Sequence, residues 1–102
     1  MENNLKFFHY CYEGDYDNAL KIYYEKYPIN NINIRWKNDK IFRFCCESAQ
    51  DMHGYSDRFT EHAKKLIKII NFLCNLCPLY HIKVIDNKLI EWKIQKQIII
   101  TI

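Results

Sequence analysis

The sequence predicts a mainly α-helical fold in which short helices pair across tight turns and extended arms join the pairs. Three observations carry that prediction. Apolar residues recur at spacings of three and four in four segments, the signature of helices with one buried stripe. Gly14, Pro28 and Pro78 stand where those segments stop, as helix-breaking residues should. The stretch that opens at Pro28 returns in altered form at Pro78.

Leu5, Phe8 and Tyr12, with Phe7 and Cys11 beside them, form the first helical stripe, and Gly14 ends it. Asp15 is placed to cap a second helix, in which Tyr16, Ala19, Leu20 and Tyr23 share a face and Asp17 stands one turn from Lys21. Tyr27-Pro28 closes that helix. Residues 28–34 are polar at the tip and alternate towards the end, so they read as an extended loop or short β arm. Asp39 is placed to cap a third helix carrying Ile41, Cys45 and Ala49 on one face, with Phe42 and Cys46 alongside. Residues 50–58 lack periodicity and predict a loop.

A fourth helix follows from about Thr60, with Leu66, Ile69, Ile70, Leu73, Leu76 and Cys77 at helical spacing. Ile67 and Phe72 widen its apolar arc, which implies burial on more than one side. Pro78 terminates it. Residues 81–85 and 90–94 alternate around Asp86-Asn87-Lys88, which suits a β-hairpin, while Lys88 onward also suits the start of a fifth helix. The predicted core is Phe7, Phe8, Cys11, Ala19, Ile22, Ile41, Phe42, Cys45, Leu66, Ile70, Leu73 and Leu76.

A chain of 102 residues with 49% apolar side chains has the size and composition of one folded domain. Lys and Arg number 15 against 12 Asp and Glu, so the +3 charge selects no class of partner. No apolar run approaches the roughly 18 residues of a membrane span, and the broken N-terminal stretch lacks the pattern of a secretory leader. Five cysteines, an odd number with Cys45 and Cys46 adjacent, fit a reducing compartment. The expectation is an intracellular protein. Ile, Lys, Asn and Tyr dominate, a bias that points to an A/T-rich genome.

The repeat divides the domain further. Residues 28–34 match residues 78–84, with proline, aliphatic, Ile and aliphatic in register, and residues 38–44 match residues 86–92. Phe7 and Cys11 correspond to Phe42 and Cys46 at close to the roughly 33-residue period of an ankyrin unit. The predicted units are 1–37, 38–87 with an insertion near 50–65 at the turn between paired helices, and a partial unit or tail at 88–102. At Asn31-Ile32-Asn33-Ile34, at residues 39–47 and at residues 69–78 through Trp92, the chain resembles the ankyrin repeats of giant DNA viruses of the mimivirus type. Three features depart from that pattern: the Thr-Pro-Leu-His start is missing, Ala49 stands where a second turn glycine would be, and the insertion is long. The resemblance implies a viral scaffold in the host cytoplasm that binds a host or viral protein without catalysis.

Chemistry-bearing motifs are few. Cys74-x-x-Cys77 closes a helix, at the negative end of its dipole, where a redox site would open one. Its other reading is two small core residues. A zinc site from Cys74, Cys77, His81 and His62 lacks the usual second ligand pair, so no metal and no cofactor are expected. His9, His53, His62 and His81 show no catalytic spacing, and two isolated glycines make no phosphate loop. Lys64, Lys65 and Lys68 with Lys21 and Lys26 read as solvated edges or, on the alternative that the chain binds nucleic acid, as a phosphate-binding stripe.

Arg35, Trp36, Lys37 and Arg43 are the candidate partner-binding residues, because an aromatic flanked by cations in a loop is what interface hot spots favour. Trp36 equally suits a lid folded over Phe42 or Phe44. Two and a fraction repeats leave the ends of a stack uncovered, and Ile98, Ile99, Ile100 and Ile102 make an apolar tail. The tail can be covered by folding back over the fourth helix or by a second copy of the chain, and homodimerisation through it is the expectation.

Overall fold

The computed structural model describes residues 2–25, 32–52 and 57–96. Four helices precede a two-stranded sheet: α1 (Asn3–Tyr12), α2 (Tyr16–Tyr24), α3 (Trp36–Asp51), α4 (Asp57–Leu76), β1 (Tyr80–Ile85) and β2 (Lys88–Ile94). The fold is mainly helical with a C-terminal antiparallel hairpin. Of the two readings of the chain's end, packing selects the strand. No described helix is long and apolar enough to cross a membrane.

The α1–α2 turn forms as its residues dictate. Gly14 adopts φ +78°, its N–H donates to the Cys11 carbonyl and the Asp15 N–H donates to that of Tyr10. A Cβ on Gly14 would stand 3.0 Å from the Lys65 Cβ, so glycine also permits the close approach of α4. The Asp15 carboxylate accepts from the Asn18 N–H at 3.3 Å and caps α2. Asp17 and Lys21 do not pair, both being exposed and free to stay in water.

α1 packs on α2 and α3 on α4, and α1 then lies against α3 while α2 lies against α4. Two helical hairpins are thus stacked side by side. Rings form much of the seam between them: Phe72 of α4 meets Tyr23 at 5.6 Å and Tyr16 at 6.2 Å between centroids, both edge to face. Ile67 and Phe72 are both buried, as the wide apolar arc of α4 requires. Eleven of the twelve predicted core residues are buried, and Leu76, in the last turn of α4, is half-buried. Cys46, Ala49, Ile69, Cys77, Tyr80 and Leu89 complete the core.

Two expectations about boundaries are corrected. α3 continues to Asp51, so Ala49 is a fully buried helix residue and not a turn residue. α4 begins at Asp57, so much of the stretch 50–65 expected as an inserted loop is helical, with Ala63 buried. β2 does not alternate throughout, for Ile90 is 45% exposed and Leu89 is 1% exposed. A bulge opposite Lys83/Val84 pairs Val84 with Leu89 and Lys83 with Glu91, which shifts the strand's phase by one residue.

The hairpin caps the open side of α3 and α4. Phe42 meets Tyr80 at 4.1 Å and Trp92 at 5.8 Å. Gln50 receives the Trp92 indole N–H and donates to the Ile90 carbonyl, both at 2.9 Å. The tail at residues 97–102, on which the dimer expectation rests, lies outside the described residues, as do residues 26–31 of the arm.

Ile70 is fully buried at the centre of this arrangement. Ile70→Ala should cost about 2–5 kcal/mol, read as a lowered denaturation midpoint. An unchanged midpoint would show that this face of α4 is not core.

Candidate functional site

The four candidate residues meet around a turn that the sequence alone did not disclose. Lys37, Asn38 and Asp39 all have positive φ, at 51°, 58° and 62°, so the chain makes a left-handed turn before the right-handed helix proceeds from Lys40. Asn and Asp tolerate this region better than other side-chain-bearing residues; Lys37 does not share that advantage. Such a turn persists only where its surroundings over-determine it.

Asp39 supplies the determination. It is 3% exposed, the sole charged residue among the buried described positions, and its carboxylate faces away from the helix it was expected to cap. Arg35 grips it with two parallel bonds, Nε to Oδ1 at 2.7 Å and Nη2 to Oδ2 at 2.8 Å. The Tyr80 hydroxyl, from the start of β1, donates to Oδ1. Arg43 closes the turn from the other side, its Nε donating to the Asn38 carbonyl at 2.9 Å with Nη2 3.5 Å from that of Lys37. Upstream, the Asn33 N–H donates to the Asn4 side chain at 2.7 Å and the Arg35 N–H to the Asn33 side chain at 3.0 Å, tying the arm to α1.

These bonds fix the electrostatics. The Arg35 bonds, aided by Tyr80, hold the Asp39 carboxyl below the usual carboxylate range despite its burial. Burial first and the neighbouring carboxylate second push the Tyr80 hydroxyl well above its usual value.

Outside this node lies a face of rings and ammonium groups. Trp36 is half-buried against Phe8, at 6.1 Å between centroids, and Phe8 meets Phe44 edge to face at 5.6 Å. Tyr12, 44% exposed, extends the cluster to 6.4 Å from Phe44. Lys37 Nζ sits 4.8 Å from the Trp36 ring, and Lys40 Nζ sits 5.2, 5.3 and 5.9 Å from those of Phe8, Phe44 and Trp36. Trp36 therefore rests on Phe8, between the hot-spot and lid alternatives. Asp39, Lys40, Phe8, Phe44 and Tyr80 were not among the candidates. The Asn-Asp pair was the available signal for the turn, since both residues favour positive φ.

No family model, curated protein or solved structure matches the chain.

The other motifs distribute differently. Cys11, Cys45, Cys46 and Cys77 are buried and Cys74 is half-buried. Burial, with Cys77 adding to it, raises the Cys74 thiol to about 11. No three His, Cys, Asp or Glu side chains among the described residues form a group able to hold a metal. In the lysine stripe, Lys64 pairs with Glu61 at 3.3 Å and Lys68 lies 4.2 Å from the Tyr16 ring.

Two predictions follow from the node's geometry. The contribution of these two groups to stability should be flat between about pH 5 and pH 9 and fall on both sides. Asp39 has a depressed folded-state pKa, so its contribution is complete above the unfolded value of about 4 and is lost as pH falls through the folded value. Tyr80 has a raised one, so its contribution is complete below about pH 10 and is lost as pH rises further. Thermal melts across this range should show a shallower acid limb for Asp39→Asn; coincident limbs would show that Arg35 does not hold the carboxylate. At Lys37, glycine should be more stable than alanine by about 1 kcal/mol because φ is positive. An ordinary helix position would give the opposite sign.

Proposed function

We propose that this chain is a non-catalytic protein-protein interaction module of the ankyrin-like kind, a viral protein acting in the host cytoplasm on a host or viral partner. Its contact surface is the face around Trp36, Lys37 and Lys40. The observation that carries the proposal is the preorganisation of that face. Rings and ammonium groups are already fixed against one another, on a turn locked by Asp39, so binding loses little side-chain freedom.

The stacking of two helical hairpins supports the ankyrin-like part, since neighbouring repeats bury their apolar faces on one another in the same way. The burial of four of the five cysteines supports thiols that pack rather than react. Arg35 and Arg43 act within this proposal mainly as braces, holding Asp39 and the turn carbonyls, while Trp36 and Lys37 face the partner together with Lys40.

Affinity capture on the tagged protein from nuclease-treated cell extract, compared by quantitative mass spectrometry with Trp36→Ala and Lys40→Gln, tests the assignment. Proteins retained by the wild type and by Lys68→Gln should be lost from both face variants. Identical sets from all four proteins would remove this face from the function.

A further inference from the structure

We infer that the partner of the Trp36 face is an acidic protein segment, one that brings carboxylates to Lys37 and Lys40 and an apolar side chain to the rings between them. The inference deepens the interaction-module proposal and rests on it. Charge is the first ground. Two ion pairs form among the described residues, and the one on this side of the molecule, Arg35 with Asp39, is internal to the turn. No described carboxylate lies within 4 Å of the Lys37 or Lys40 ammonium groups. Arg35 is matched by the buried Asp39, so Lys37 and Lys40 supply the net positive charge beside the rings.

Geometry supplies the second ground. Lys40 Nζ lies within 6 Å of three ring centroids, on α1 and α3, and Lys37 Nζ covers the Trp36 ring. Lysine ordinarily loses much rotamer freedom when it pairs with an anion. Here the rings have already ordered the side chains, so a carboxylate meets positioned ammonium groups. The same placement disfavours a single-stranded nucleic acid. Bases bind by stacking on open ring faces. Trp36 is half-buried and tilted 46° to Phe8, Phe8 stands at 71° to Phe44, and lysines lie over these rings. The rings form no parallel platform, and of the α4 lysines that would extend a phosphate track Lys64 is paired with Glu61.

Titration of the isotope-labelled full chain with a blocked peptide of alternating Glu, Tyr and Leu tests the inference by NMR. The controls are the same peptide with Lys for Glu and a short oligothymidine. The acidic peptide should shift the Trp36 indole resonance with saturation, and leave that of Trp92 unmoved. Its affinity should fall about tenfold in Lys40→Gln and also in Lys37→Gly, which the backbone accepts at positive φ, and should weaken with added salt. Lys68→Gln should bind as the wild type does. Tighter binding of oligothymidine, equal binding of the Lys peptide, or no saturable shift with the acidic peptide would each overturn the inference. The captured partners then separate the two proposals: proteins lost from Trp36→Ala without any acidic-peptide binding would leave the module standing and remove the acidic occupant.

Discussion

Burying the Asp39 carboxylate is the constraint on which the rest of the structure depends. A carboxylate taken out of water is unfavourable unless its lone pairs are met by well-placed donors. Arg35 meets it from four residues upstream and Tyr80 from 41 residues downstream. The first contact spans the left-handed turn at residues 37–39 and ties its two ends together. The second draws the start of β1 against α3, where the Tyr80 ring also stacks on Phe42. One buried charge thus joins the arm, the third helix and the C-terminal hairpin.

The same constraint shapes the surface. With its anion consumed inside, the turn presents cations outward, and the rings of Phe8, Trp36 and Phe44 hold the lysine side chains in place. Specific recognition benefits from such preorganisation because little remains to be ordered on binding. Backbone strain in residues 37–39 is offset by packing and hydrogen bonds that reach α1, α3 and β1, so the recognition face and the stability of the fold are built from the same bonds.

The internal repeat shows how far local sequence reaches. Asn38-Asp39 and its counterpart Asp86-Asn87 both adopt positive φ, each followed by a lysine. Local preference accounts for that much. The paths then diverge: Lys40 continues into α3, Lys88 into β2. Before Asp86 stands a strand, so a two-residue left-handed turn folds the chain straight back onto it as a hairpin. Before Asn38 stand Trp36 and Lys37, with the Trp36 N–H bonded back to Asn33, and among the described residues no strand lies in register to receive the chain. The helical period from Ile41 to Ala49 then prevails.

By itself the sequence determined the helical class, the stops at Gly14 and Pro78, the Asp15 cap and more than half of the core, because periodicity and capping act over a few residues. It also drew attention to Arg35, Trp36, Lys37 and Arg43, through composition. Only the tertiary structure decided that Asp39 would face Arg35 and Tyr80 rather than its own helix, that Lys40 and Phe8 would complete the face, and that a bulge would exchange Ile90 for Leu89 in the core. Each of these depends on a neighbour distant in the chain. The energy of a buried charge or a strand's phase is set by the surface that arrives to cover it, which no local pattern contains.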